Sequence, residues 1–350
     1  MDRYDFDTYI RPLWQGGAIE NETVFPLEDA DGRVPLIPLL YRASRIREVR
    51  TSDLETLFVQ GKDYALEDGC LRILPGGSIP TVAHDKFFFA EKPTECASFS
   101  CSLGGYIYFS EGSGMHDLQL AVSYDAEDDW RGPVPAAKGA LLPATLQKLK
   151  DHEHLRVLVY GDSISTGCNS SGNVGSKPGA EPWFDQFIRG LKARAGYDDI
   201  ELINTAVGGT TSQWGAENAQ ALAAEHKPDL AIIAFGMNDG SGKRPVGRFA
   251  ENIRTIRDCI ARANPACEFI LIATMIPHAL VKGFFGYQEA YLPALCKLEG
   301  PGCAVADVTS IHKYCVHKKR YFDMSGNNVN HPNDFAARIY SQVLLRLTEA

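Results

Sequence analysis

What the sequence lacks narrows its class before any motif is read. No apolar run in the 350 residues approaches the roughly 18 needed to cross a bilayer. The N-terminus, MDRYDFDTYIRPLW, is charged and aromatic throughout and has no apolar stretch of the secretory kind. A cytoplasmic protein is therefore expected. Positive charge is scarce: 35 Lys and Arg against 44 Asp and Glu give a net charge of −9. Such a chain lacks the basic face that neutralises nucleic-acid phosphates or holds an anionic membrane, so neither is an expected partner. The nine cysteines, Cys70 to Cys315, are odd in number and contain no CxxC pair. That excludes a disulfide framework and a zinc-finger pattern and leaves free thiols. Internal repeats and low-complexity tracts are also missing. The remainder is a globular chain, 45% hydrophobic, long enough for two domains or one large one.

What is present falls into two halves, divided as 1–145 and 146–350. The first offers short β-like runs at Val34–Tyr41, Glu55–Val59, Cys70–Leu74, Cys96–Cys101, Tyr106–Ser110 and Leu118–Tyr124. Turn signals such as Asp68-Gly69 and Gly104-Gly105 separate several of them, the pattern of a β-sandwich or jelly roll. A Pro/Gly/Ala-rich stretch, Gly132–Pro143, and the charged Lys148–His154 mark a linker. His152 and His154 flank Glu153 there, a solvated group rather than a metal site. From 155 the period changes. Apolar runs at Leu155–Tyr160, Ile200–Asn204, Leu230–Phe235, Phe269–Ala273 and Ala304–Val308 alternate with helical patterns. Phe249, Ile253, Ile256 and Ile260 form a helical stripe. Asn333 or Asp334 can cap a final helix. This alternation predicts a three-layer α/β domain on a parallel sheet, whose strands are apolar because both faces are covered.

Sites in such sheets form beyond the carboxyl ends of the strands. Gly161-Asp162-Ser163-Ile164 follows the first strand, Val207-Gly208-Gly209-Thr210 the second, and Gly236-Met237-Asn238-Asp239 the third. Asn330-His331-Pro332 precedes the last helix. A serine hydroxyl needs a base, and His is the usual one near neutral pH. Attack on an ester carbonyl builds an oxyanion that needs preorganised donors. Ser163 N–H, Gly209 N–H and the Asn238 carboxamide would supply them, with glycine allowing close backbone approach. No G-x-S-x-G elbow occurs in the chain, which argues against the α/β-hydrolase alternative.

These blocks resemble those of the GDSL/SGNH hydrolase superfamily. The resemblance covers roughly residues 155–347, with Gly-Asp-Ser-Ile in place of the frequent Gly-Asp-Ser-Leu. It implies a flavodoxin-like fold, catalysis by Ser163 and His331, an oxyanion hole of Ser163, Gly209 and Asn238, and no cofactor or metal. The chain departs from the family at Ala206, where a glycine is common. It departs again at Asn328, three residues before His331, where the family has the Asp that orients the imidazole. An Asn can hold the ring but cannot stabilise an imidazolium by charge. A Ser–His dyad with a neutral or main-chain carbonyl partner, or a displaced carboxylate such as Asp323 or Asp334, remains open.

A β-rich domain ahead of such a domain is similar to several bacterial carbohydrate esterases. That implies a serine esterase removing short acyl groups, acetyl foremost, from a small-molecule or oligosaccharide ester. Rival readings are a thioesterase or lysophospholipase on the same site, and a non-catalytic glycan-binding protein. Oligomeric state is not legible. Asp162 is expected to bond backbone and fix the nucleophile loop. Cys168 is expected to be a packing thiol and His278 a loop histidine. Trp183 and Trp214 are candidate walls of an acyl pocket. Trp14, Trp130 and Phe87–Phe89 could stack on sugars, although core packing is the commoner fate of such residues.

Overall fold

The computed structural model describes residues 5–350. A short helix α1 (Phe6–Tyr9) opens the first half. Strands β1 (Ala18–Val24), β2 (Ala43–Thr51), β3 (Tyr64–Glu67), β4 (Cys70–Ile73), β5 (Phe88–Phe89), β6 (Ser98–Ser100), β7 (Tyr106–Tyr108) and β8 (Leu120–Ala126) follow. They form antiparallel sheets β1-β8-β2, β3-β4 and β5-β7-β6. Among the described residues, two expected strands are absent. Val34–Tyr41 contains Pro35 and Pro38, which cannot donate to a ladder, and only Ile37 bridges, to Leu71. Glu55–Val59 offers a single bridge, Leu57 to Arg50. The strands that do form, β1 and β2, read AIENETV and ASRIREVRT. Their polar residues hid them from a search for apolar runs.

The second half follows the expected alternation. It comprises α2 (Pro143–Asp151), β9 (Leu155–Gly161), α3 (Trp183–Ala195), β10 (Ile200–Asn204), α4 (Ser212–Leu222), β11 (Leu230–Ala234), α5 (Met237–Ser241), α6 (Val246–Ala263), β12 (Glu268–Ala273), α7 (Gln288–Cys296), β13 (Cys303–Asp307), α8 (Val308–Lys318) and α9 (Asp334–Leu347). The charged stretch read as linker is partly helix α2, capped by the Glu268 carboxylate, which accepts from the Ala144 and Thr145 N–H groups at 2.9 and 2.7 Å. The sheet is parallel in the order β10-β9-β11-β12-β13, the flavodoxin-like arrangement. Alternate residues of each strand enter opposite cores. Val157, Val159, Ile232 and Ile270 face α3, α8 and α9, while Leu158, Ile233 and Leu271 face α4, α6 and α7.

The two halves share their cores. Ile19, Val24, Ile46, Val49 and Val122 of the first join one cluster with Phe187, Phe335 and Ile339 of the second. Phe25, Phe87 and Ile107 join another with Val281, Phe322 and Val329. Helix α9 therefore lies between two sheets and is buried on nearly every side.

A polar seam accompanies this packing. The Asp323 carboxylate accepts from Phe25 N–H at 2.7 Å and pairs with Arg320 at 2.8 Å. Thr23 Oγ1 donates to the Asp323 carbonyl at 2.6 Å. Asn333 Nδ2 donates to Thr23 Oγ1 at 2.8 Å while its Oδ1 caps α9. Gln119 Nε2 donates to the Phe322 and Ser325 carbonyls at 2.9 and 3.0 Å. Lys319 Nζ pairs with Glu22, both side chains fully buried, and donates to the Thr23 carbonyl at 2.9 Å. Removing one member of such a pair leaves the other charge buried and uncompensated. Glu22→Gln should therefore cost about 3–5 kcal/mol of stability by urea unfolding. A loss under about 1 kcal/mol, the worth of an exposed pair, would show that the pair is not needed.

Candidate active site

The order of strands reverses between β9 and β11, and ligands in such sheets bind at that switch point. Ser163 follows β9 and Asn238 follows β11. Gly161 lets the two strands close here: a Cβ on it would fall 2.5 Å from both the Ala234 carbonyl and Ser165 Oγ. The nucleophile loop is then pinned from several sides. Ile164 N–H donates to Asp162 Oδ1 at 3.1 Å. Trp183 Nε1 donates to the Ile164 carbonyl at 3.0 Å, and Asn204 Nδ2 to the Ser165 carbonyl at 2.8 Å. The second block packs beside it, Val207 N–H donating to the Gly161 carbonyl at 3.0 Å. Gly209 adopts φ +76°, and a Cβ on Gly208 would touch Ser163 Cβ at 3.8 Å. Among the described residues, no partner accepts from the Ser163 or Gly209 N–H. Asn238 Nδ2 gives one hydrogen to the Thr210 carbonyl at 2.8 Å, and an amide nitrogen carries a second.

The fourth block arrives on the segment held by the polar seam. Asn327 Oδ1 accepts from the N–H groups of Val329, Asn330 and His331 at 2.9–3.1 Å. This turn brings His331 Nε2 to 2.9 Å from Ser163 Oγ. His331 Nδ1 lies 2.7 Å from Asn169 Oδ1. Asn169 Nδ2 donates to the Gly112 carbonyl at 2.9 Å, an acceptor only, so its oxygen must face the ring. Nδ1 therefore carries the hydrogen, and Nε2 presents a lone pair to the Ser163 hydroxyl.

A carboxylate also stands at Nδ1: Glu111 Oε2 is 3.4 Å away. It is half-exposed and comes from the loop between β7 and β8. Its Oε1 accepts from Asn327 Nδ2 at 3.2 Å. Burial pushes the Glu111 carboxyl up, but the neighbouring His331, with Asn327 and Asn169, leaves it below its ordinary value. Neither Asn169 nor Glu111 was foreseen. Each sits in a glycine-flanked loop with no local pattern linking it to His331. The nearby carboxylates named from sequence are elsewhere. Asp323 belongs to the seam, and Asp334 accepts from Ser171 N–H at 2.8 Å, 4.0 Å from His116. Asn328 takes φ +67° and turns away, donating to the Tyr108 carbonyl at 2.7 Å.

Other candidates pack to different degrees. His278 is buried against Tyr321, its Nδ1 at the Asn328 carbonyl, and burial lowers it to about 4. Trp183 lies under the nucleophile loop, stacked on Tyr340, so it does not wall a pocket. Trp214 is half-buried beside Tyr160, Trp130 sits between Tyr41 and Tyr314, Trp14 packs on the core and Phe87 is buried. Burial raises the Cys168 thiol, which contacts Thr166 Oγ1 at 3.1 Å. The 276–288 loop packs against α5, which carries Asn238. Tyr287 N–H donates to the Gly240 carbonyl at 3.0 Å, and Lys282 N–H to the Ser100 carbonyl at 2.9 Å. Gln288 Nε2 donates to the Met237 carbonyl at 3.1 Å. A Cβ on Gly286 would fall 1.9 Å from the Gly240 carbonyl oxygen.

A serine touching an imidazole at the switch point of a flavodoxin-like sheet is the arrangement of one class of hydrolases. Residues 159–339 match the GDSL-like lipase/acylhydrolase family, and the chain belongs to that family. It is 29% identical over 144 residues to esterase TesA of Pseudomonas aeruginosa, across 41% of this chain and 63% of the relative. The match thus spans less than two thirds of that relative's length. Among solved structures it is similar to a two-domain esterase, CEX, active on acetylated mannans and co-crystallised with mannopentaose. That likeness has 19% identity and TM-score 0.46 and covers 61% of this chain and 53% of the other. It is also similar to a form of Axe2, an acetyl xylan esterase from Geobacillus stearothermophilus, with 18% identity, TM-score 0.43, and 55% and 93% covered.

Asp162 yields a pH prediction. Burial, with the charge of Asp239, raises its carboxyl to about 7, and among the described residues its Oδ2 has no hydrogen-bond partner. The folded state therefore binds a proton that the unfolded state releases near pH 4. Stability from this group is complete at low pH and falls as pH rises from about 4 to about 7. Asp162→Asn should flatten the Tm–pH curve across that window relative to wild type. Parallel curves would contradict the assignment.

Proposed function

We propose that the chain is a serine esterase that removes short acyl groups, acetyl above all, from neutral carbohydrate-type alcohols. The observation that carries this reading is the 2.9 Å contact between Ser163 Oγ and His331 Nε2, with Nε2 left as the basic nitrogen. His331 takes the Ser163 proton as Oγ attacks the ester carbonyl. The oxyanion sits among the Ser163 and Gly209 N–H groups and the free N–H of Asn238. His331 then protonates the leaving alcohol, and water repeats the sequence on the acyl-enzyme.

Two features support the substrate class. Ser163 and His331 are only 7% and 6% exposed, an approach that suits a slim acyl group better than a long chain. The net charge of −9 and the half-exposed Glu111 at the site repel anionic substrates, phospholipids and phosphate-bearing thioesters among them. A neutral sugar ester meets no such barrier.

Ser163→Ala should abolish hydrolysis and labelling by a fluorophosphonate. Asn238→Ala should lower kcat by roughly 10²–10³, the usual loss for one oxyanion donor; a fall below threefold would show that Asn238 does not hold the oxyanion. Across p-nitrophenyl esters, kcat/KM should peak at acetyl to butyryl. A maximum at octanoyl or longer would overturn the short-acyl reading in favour of a lipid-type hydrolase.

A further inference from the structure

The position at which the family carries its orienting Asp is occupied by Asn328, which faces away from His331. The ring nevertheless has partners on that side, and both depend on the first half of the chain. Asn169 gives the hydrogen-bond acceptor, at 2.7 Å. Its orientation is set by the Gly112 carbonyl. Its place is set by Gly326, where a Cβ would fall 2.4 Å from Asn169 Cβ. Glu111, one residue before Gly112, gives the negative charge at 3.4 Å. The distance exceeds that of a direct N–H···O bond, so Glu111 acts on the ring as a charge.

The geometry points to a divided third member of the triad: Asn169 orients His331, and Glu111 of the β7–β8 loop stabilises the imidazolium formed during acyl transfer. This rests on the Ser163–His331 esterase reading above. When Ser163 Oγ yields its proton, Nε2 gains it and Nδ1 keeps its own, so the ring acquires a full positive charge. A neutral amide holds the ring in place without offsetting that charge; a carboxylate does offset it. Glu111 stays ionised throughout and moves no proton. It is a positioning residue, and it makes the first half of the chain part of the catalytic centre.

Other ionisable groups face this spot. Asp162 and Cys168 lie on the nucleophile loop, and Asp334 with His116 lies behind it. None of them changes in the variants below.

The test compares wild type with Glu111→Gln and Glu111→Asp, each checked for folding by thermal unfolding. Glu111→Ser is the neutral variant should E111Q unfold. E111Q keeps the shape and loses the charge. Its kcat/KM should fall about 10- to 100-fold, as for other groups that support a working histidine, with KM nearly unchanged. The acid limb of its kcat/KM profile should move to lower pH, because the protonated ring is less favoured without the carboxylate. Fluorophosphonate labelling of Ser163 should slow in parallel. E111D keeps the charge and should retain the wild-type acid limb with a smaller loss of rate. Unchanged rate and profile in E111Q would overturn the proposal. So would equal losses in E111Q and E111D with no change of profile, since that is a packing effect. Failure of the wild type to label, or full activity in Ser163→Ala, would overturn the esterase reading and this proposal with it. Normal labelling of the wild type with an unaffected E111Q removes this proposal alone.

Discussion

Everything catalytic here rests on a buried polar seam between β1, with Gln119 just before β8, and the segment that ends at α9. Lys319 and Glu22 are both fully inaccessible to solvent, and neither would remain there without the other. Asp323, Arg320, Thr23, Gln119 and Asn333 extend the same contact. Their directional bonds define one register between the halves, where apolar packing alone would tolerate several. His331 lies between Asp323 and the first turn of α9, so the register of the seam is also the placement of the imidazole.

The site itself is assembled from widely separated stretches, each with its own local reason for its shape. Gly161 permits the crossing at the end of β9. Asn327 gathers three successive N–H groups and forms the turn before His331. Thr210 occupies one hydrogen of Asn238. The nucleophile loop and the turn before His331 are each held by several contacts. The geometry therefore exists before substrate arrives, as electrostatic stabilisation of an oxyanion requires.

How much of this could be read from the sequence depended on how local its cause was. The parallel strands were legible within a residue or so at most ends, because both faces are apolar and the runs are bounded by turn residues. The α6 stripe and the Asn333 cap were legible for the same reason. Strands β1 and β2 were not. Arg45, Arg47, Glu48 and Arg50 surround Ile46 and Val49 on β2 and form ion pairs, with Asp125 and Glu20 among their partners, and buried Glu22 on β1 is held by groups distant in sequence, Lys319, the Leu40 N–H and the Tyr124 hydroxyl. Ser163, Gly209, Asn238 and His331 announced themselves through motif blocks at strand ends. Asn169 and Glu111 did not, since their contacts with the imidazole arise from tertiary folding. The same holds for Asn328, whose side chain was expected near His331 and is turned aside by its positive φ.

The 276–288 loop joins β12 to α7 and packs against α5, the short helix that carries Asn238. Here Gly286 lies flush against the Gly240 carbonyl, with no room even for a methyl group, and the opposite end of the loop is stitched to β6. The bracing therefore reaches α5 through Gln288 and Gly286, so the Asn238 amide is backed by a second layer of packing and not by its own strand end alone.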